Sequence, residues 1–308
     1  MKYFDLHCDT ATECFETKQG LYSNNLQLSI EKGLNFEKWV QVYAIWMNDE
    51  RRGEAAYEHF CMVYDHFMLE LNKNADLVKV CTDGAQIERA LEQGKRVAML
   101  AIEGSAALGG KVSRVQEFYD KGIRFMTLTW NGKCEVADGC MVEKAEGLTE
   151  FGKKVVNEMN RVGMIVDVSH LAEKGFWDIV NYSDQPFIAT HSNSQTVCPH
   201  PRNLSDEAFK EIVKRKGLVG MNFYPMFING TTTAIMAELI PHITHFLELG
   251  GEDVIALGSD FDGATMPSDL ESVDRIGRLY DKLTQYYGPE ITNKIFFRNC
   301  SRFLGIIK

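Results

Sequence analysis

Short apolar runs recur along the chain, separated by longer stretches whose apolar residues fall at three- and four-residue spacing. The runs cover residues 3–9, 40–46, 97–103, 123–129, 164–169, 187–191, 218–223 and 254–260. They are dominated by Val, Ile, Leu, Met and Phe without clean alternation, the pattern of strands buried on both faces in a parallel sheet. Helical patterns fill the gaps at residues 54–72, 150–161 and 172–182. Ser205 before Asp206 and Glu207 reads as an N-cap with an acidic first turn, opening a helix that stops near Lys216-Gly217. Residues 233–249 end at Gly250-Gly251, a stop signal, and residues 289–303 form a last helix. Eight strands alternating with helices, with no repeat and no Gly/Ser/Pro linker, predict an α/β chain folded over residues 1–308 as a single (β/α)₈ (TIM) barrel. A doubly wound open sheet is the alternative. It often carries a G-x-G-x-x-G turn after the first strand, and none is present here.

Composition narrows the class. The 308 residues are 45% hydrophobic and 25% charged, ordinary for a globular protein. A formal charge of −10 argues against a nucleic-acid or anionic-membrane surface, since phosphate binding needs concentrated Lys and Arg. The N-terminus turns polar at once, without an apolar signal region, and no apolar run approaches the roughly 18 residues of a spanning helix. A cytoplasmic protein is expected. The eight cysteines are scattered without a C-x-x-C, as expected for reduced thiols.

Candidate chemistry collects at the strand ends, where barrels of this kind place their active sites. His7 and Asp9 close the first run, Glu103 the third, His170 the fifth, His191 the sixth, and Asp260 the eighth, with Asp262 just beyond. Ionisable groups at the ends of five buried strands are costly unless paired or metal-bound. His7 and Asp9, two apart, share one face of an extended strand. Glu103 has two oxygens with which to bridge two cations, and His170 and His191 bring imidazoles from consecutive strands. Three His, one Asp and one Glu suit Zn²⁺ best, ahead of Mn²⁺, Co²⁺ or Fe²⁺, and exceed what one catalytic zinc takes. Two Zn²⁺ ions about 3.5–4 Å apart, bridged by Glu103 and a hydroxide, are the simplest arrangement. Asp260 is then placed for proton transfer, with Asp262 a competitor. His59, His66, His200, His242 and His245 read as structural.

These residues sit in segments that resemble the membrane (renal) dipeptidase family. The resemblance is carried by Phe4-Asp5-Leu6-His7-Cys8-Asp9-Thr10, Ile102-Glu103-Gly104, Asp167-Val168-Ser169-His170, Thr190-His191-Ser192, Arg202-Asn203, Asn222-Phe223-Tyr224 and Gly258-Ser259-Asp260-Phe261-Asp262-Gly263. It implies a zinc-dependent dipeptidase in which His7 and Asp9 bind one metal, His170 and His191 the other, and Glu103 bridges them. It further implies that Asp260 takes the proton of the bridging hydroxide and holds the substrate amine. Arg202, with Tyr224 as a helper, binds the dipeptide's free carboxylate. A D-residue at the C-terminal position and a homodimer are also family expectations. One position departs. Mammalian members carry a histidine after Leu-Thr at the end of the fourth strand, and here Leu128-Thr129 leads into Trp130-Asn131. The indole only donates, so activation of the substrate carbonyl is expected to lean more on zinc, with Asn131 as a helper. Two other readings remain: another binuclear amidohydrolase (amidase, lactonase or deaminase), from which His7-x-Asp9 points away, and a non-catalytic metal-binding barrel.

Overall fold

The computed structural model describes residues 1–306. Nine parallel strands run in chain order: β1 (Lys2–Cys8), β2 (Lys38–Trp46), β3 (Val78–Val80), β4 (Arg96–Glu103), β5 (Ile123–Thr127), β6 (Ile165–Asp167), β7 (Ile188–Ala189), β8 (Leu218–Met221) and β9 (Ile255–Leu257). β1 pairs with β2 on one side and with β9 on the other, and β2 pairs directly with β4. Eight strands therefore close the ring β1-β2-β4-β5-β6-β7-β8-β9, the barrel expected from the eight apolar runs. β3 is not one of its staves. It takes the first half of one edge of β4, through Val78↔Arg96 to Val80↔Ala98, and β5 takes the second half.

Helices α1 (Thr10–Thr17), α2 (Gly53–Lys73), α3 (Gly84–Glu92), α4 (Ser113–Asp120), α5 (Glu150–Val162), α6 (Glu173–Tyr182), α7 (Asp206–Lys214), α8 (Pro225–Ile228), α9 (Leu239–Glu248), α10 (Ile276–Asn293) and α11 (Asn299–Phe303) cover the outside. Ser205 caps α7 as expected, its hydroxyl accepting the Ala208 N–H. Two helices differ from expectation. The one expected from residue 233 starts at Leu239, because Glu238 turns back onto the Ile235 N–H and residues 236–238 form a 3₁₀ turn. The one expected at 289–303 is a composite. α10 starts at Ile276, kinks at Gly288 (φ 77°) before Pro289, and passes through a π turn at Lys294–Arg298 into α11. Pro289 lacks an N–H and Gly288 alone tolerates that φ, so the kink falls where the sequence permits it.

Alternate strand residues divide between two apolar layers. Trp39, Tyr43, Ile45, Ala98, Leu100 and Ile102 pack with helix residues such as Phe60, Phe118 and Val155. Val40, Val42, Ala44, Val97, Met99 and Ala101 pack with Phe4, Leu6, Phe125 and the C-terminal Phe297. Both faces of β2 and β4 are thus covered, which is why their sequences show no polar alternation. No helix among the described residues is long and apolar enough to cross a membrane, and all eight cysteines are free thiols.

Candidate metal centre and active site

Five strands stop earlier than the apolar runs suggest: β5 at Thr127, β6 at Asp167, β7 at Ala189, β8 at Met221 and β9 at Leu257. At β6 and β9 the cause is a side chain. Asp167 Oδ1 captures the Ser169 N–H and Asp5 Oδ1 captures the Ser259 N–H, removing those donors from the ladder. Beyond them His170 (φ 66°), Asp260 (φ 65°) and Asp262 (φ 69°) adopt left-handed backbone. Non-glycine residues rarely do so, and such strain gathers at functional sites. The strand ends therefore curl inward and deliver side chains to one point.

That point is Glu103. Its Oε2 lies 3.3 Å from His7 Nε2, which is itself 3.4 Å from Asp9 Oδ2. Its Oε1 lies 2.8 Å from His170 Nε2 and 3.7 Å from His191 Nε2. Asp260 Oδ1 is 3.9 Å from His7 Nε2. One buried carboxylate thus serves a separate donor group with each oxygen, and all six side chains named for the centre are brought together. His7 Nε2 and Asp9 Oδ1 are buried without a hydrogen-bond partner. His170 Nδ1 bonds Asn131 Oδ1 at 2.9 Å, so its Nε2 lone pair points toward His191 Nε2, also 2.9 Å away. Orphaned donors and converging nitrogens are costly in a dry interior. Divalent cations satisfy them, and the N/O donor set fits the zinc implied by the sequence.

The electrostatics point the same way. Burial pushes the Asp260 carboxyl up to about 7; His7 opposes this, while Asp9 and Glu103 add to it. Asp9 rises to about 6 through burial and Glu103, despite His7. Burial pushes His170 and His191 well below the usual imidazole value, with Arg202 and His7 adding to it. For His7 burial acts downward, but Glu103 and Asp9 reverse it and hold the ring well above its ordinary value. Crowded carboxylates that resist ionising beside imidazoles that resist protonating form a site that favours added positive charge.

Asp260 and Asp262 separate in role. Both Asp262 oxygens are engaged, one by Thr10 Oγ1 at 2.5 Å and one by the Gln27 N–H at 2.6 Å. Asp260 Oδ2 accepts only from Asn222 Nδ2, at 2.9 Å, and the residue faces the cavity. That cavity, about 450 Å³, is lined by acidic Asp9, Glu13, Glu103, Asp260 and Asp262 and by aromatic Trp46, Trp130, Tyr224 and Phe227. Trp130 meets Trp46 edge-on at 5.1 Å. Asn131 also lines the cavity, with its carbonyl committed to His170. Arg202 stands behind this wall. It is 3% exposed, its guanidinium 5.1 Å over the Phe227 ring, with Nη2 3.2 Å from the His191 carbonyl. Its Nε has no partner, and among the described residues no carboxylate lies within ion-pair distance.

Of the other histidines, His242 is fully buried, accepting from the Ser194 N–H and bonding the Ile228 carbonyl, a structural role. Sequence reasoning gave no role to Asp5, Asp167, Asn193 or Asn222. Asp5 receives Tyr3 Oη, Ser259 N and Ser259 Oγ, holding the approach to Asp260. The Asn193 amide donates to the Asn222 carbonyl and accepts the Asn222 N–H, and the Asn222 amide in turn donates to Asp260. The signal available was a polar residue inside an apolar run. Gly263 has a tighter constraint, since a Cβ there would overlap Asp9 Oδ2 and come within 2.7 Å of Asp260 Oδ1. Gly263→Ala is expected to shift both carboxylates and lower kcat/KM about 10²-fold, with little change in Tm. A wild-type kcat/KM in that variant would show that the two carboxylates need no such placement.

A family model described as membrane dipeptidase (peptidase family M19) matches residues 1–308. An uncharacterized protein from the pqqA 5' region of Klebsiella pneumoniae is 35% identical over 243 residues, 75% of this chain and 89% of the relative. Dipeptidase AC, a metallopeptidase of family M19, has a solved structure that superposes with a TM-score of 0.92 at 26% identity, over 99% of this chain and 98% of its own. A metallopeptidase from Rhodobacter sphaeroides, solved with a phosphinate mimic of the dipeptide L-Ala-D-Ala, also reaches 0.92, at 24% identity over 99% of both chains. A match running the length of the chain, laid over a barrel whose buried donors meet at one carboxylate, places this protein in the membrane dipeptidase family, M19, whose members are metal-dependent hydrolases of peptide bonds.

Proposed function

We propose that residues 1–308 form one catalytic domain, a two-zinc dipeptidase that cleaves small dipeptides, with a D-residue accepted at the C-terminal position. The observation that carries this reading is the division of Glu103, one oxygen toward His7 and Asp9, the other toward His170 and His191. In this reading His7 and Asp9 hold one cation, His170 and His191 the second, and Glu103 spans them. Two zinc ions supply acidification of the attacking water and stabilisation of charge on the carbonyl oxygen. The protein's own groups do the rest. The acidic wall attracts the substrate amine, and Asp260 holds it. Asp260 also takes the water's proton and passes it to the departing amine, a transfer that suits a carboxylate facing the cavity with one oxygen free of hydrogen bonds. Trp46 and Trp130, edge-on to each other, give the cavity an apolar surface for the substrate's side chains. The phosphinate mimic of L-Ala-D-Ala on the Rhodobacter relative supports the dipeptide and the D-configuration.

Arg202 is assigned the substrate carboxylate, since a buried guanidinium without a counter-ion matches a planar anion. Arg202→Met is expected to raise KM at least about 30-fold, the effect of about 2 kcal/mol or more for truncating one side of a buried charge pair. Preference for free over amidated dipeptides should vanish with it. The ligand-free variant should melt above the wild type, because an uncompensated buried charge is gone. An unchanged preference for the free carboxylate would reassign Arg202. The function itself is tested by metal analysis and by assaying zinc-loaded protein on L,L- and L,D-dipeptides, lactones and aminopurines. Two zinc per chain with dipeptide turnover is expected; turnover confined to lactones or aminopurines overturns the reading.

A further inference from the structure

We propose that Asp167 and Thr190 form a hydrogen-bond relay that fixes the tautomer of His191, keeping its Nε2 bare as a metal donor. The proposal rests on reading the site as a metal centre and gives that site two positioning residues.

Asp167 is 1% exposed, and among the described residues no cation pairs with it. Its Oδ1 accepts the Ser169 N–H at 2.9 Å and the Thr190 N–H at 3.0 Å. Its Oδ2 accepts Thr127 Oγ1 and Thr190 Oγ1, each at 2.6 Å. Four donors fill the ordinary capacity of an ionised carboxylate, which has no proton to give back. The single hydroxyl proton of Thr190 therefore points at Asp167, and Thr190 Oγ1 meets its other neighbours only as an acceptor. Those neighbours are His191 Nδ1 at 2.8 Å and Ser169 Oγ at 3.3 Å. Ser169 Oγ receives the His191 backbone N–H at 3.1 Å and has its own proton free for Thr190. Every donor then has an acceptor, provided His191 carries its proton on Nδ1.

The competing assignment turns the Thr190 hydroxyl toward His191 Nδ1 and puts the ring proton on Nε2, facing His170 Nε2. It gives up a 2.6 Å bond to a carboxylate for a 2.8 Å bond to a neutral ring nitrogen and a 2.9 Å contact between the two Nε2 atoms, both neutral, whereas bonds to ionised acceptors are about twice as strong. Asn131 sets His170 the same way from the opposite side, through its Oδ1 on Nδ1. Metal-bound histidines regularly donate their other N–H to a carboxylate or carbonyl, which fixes the ring and raises its basicity. Here a threonine hydroxyl stands between ring and carboxylate.

The test uses the full chain. ¹⁵N NMR of the metal-free wild type is expected to show His191 protonated on Nδ1 and bare on Nε2. Zinc titration is expected to show two sites in the wild type and in Thr190→Ser. In Thr190→Val and Asp167→Asn, one site is expected to weaken about 10–100-fold. His191 protonated on Nε2 in the wild type overturns the relay without need of any variant, so misfolding of Thr190→Val does not shield it. Wild-type zinc affinity in a folded Thr190→Val likewise overturns it. A wild type that binds no divalent cation overturns the metal-centre reading and with it the relay's purpose. That failure is told apart because the tautomer is read without metal.

Discussion

Asp260→Asn is expected to lower kcat about 10²–10⁴-fold, the usual worth of a positioned proton-transfer group, while both metals stay bound. The substitution preserves shape. Asn222 Nδ2, now donating to Asp260 Oδ2 at 2.9 Å, would meet the new amide's oxygen instead. The backbone bond from Asp260 N to the His7 carbonyl is unaffected. What is lost is a carboxylate able to take a proton from water and return it to the amine. Asp262→Asn provides the contrast, because its carboxylate is occupied by Thr10 and Gln27. Steady-state kinetics beside elemental analysis separate the outcomes: near-wild-type kcat in a two-metal Asp260→Asn protein would remove Asp260 from the proton path.

Glu103→Gln is expected to have a larger effect, about 10³-fold or more in turnover, with metal content falling well below two per chain. Glu103 reaches His7 with one oxygen and His170 with the other, and an amide presents one oxygen without charge. The metal-free variant should nevertheless unfold within about 3 °C of the metal-free wild type, the span of about 1 kcal/mol for a domain of this size. The amide keeps the packing at the end of β4. A variant that holds two zinc ions and loses only rate would show that Glu103 does not span the pair.

The barrel was legible in the sequence because its staves are covered on both faces, which turns each into an apolar run. β3 was not, since a three-residue strand with Lys79 exposed at its centre gives too little pattern. The centre was legible where an ionisable residue interrupts or ends such a run, as His7 and Glu103 do. The strand ends were misjudged at residues 127, 167, 189, 221 and 257; past four of them side chains of Asp5, Asp167 and Asn193 take backbone N–H groups, a substitution that hydrophobic pattern does not record. Asp5, Asp167 and Asn222 escaped notice for a related reason. A buried carboxylate or amide that serves other polar groups looks, in one dimension, like any other. Arg202 was singled out only through the family resemblance, and its lack of a counter-ion appears only once the chain is folded.

The closure of β1 on β9, through Asp5↔Leu257 and the bond from Asp9 N to the Phe261 carbonyl, joins positions some 250 residues apart. Contacts of such long sequence separation are slow to form, since a long loop must close before any of them is made. Asp260 leaves the ribosome some 250 residues after His7 and Asp9. The nascent chain therefore carries His7 and Asp9 long before the rest of the metal centre can join them. The site is complete only when the ring shuts, because His7 and Asp9 stand on one side of the β1–β9 seam and Asp260 on the other.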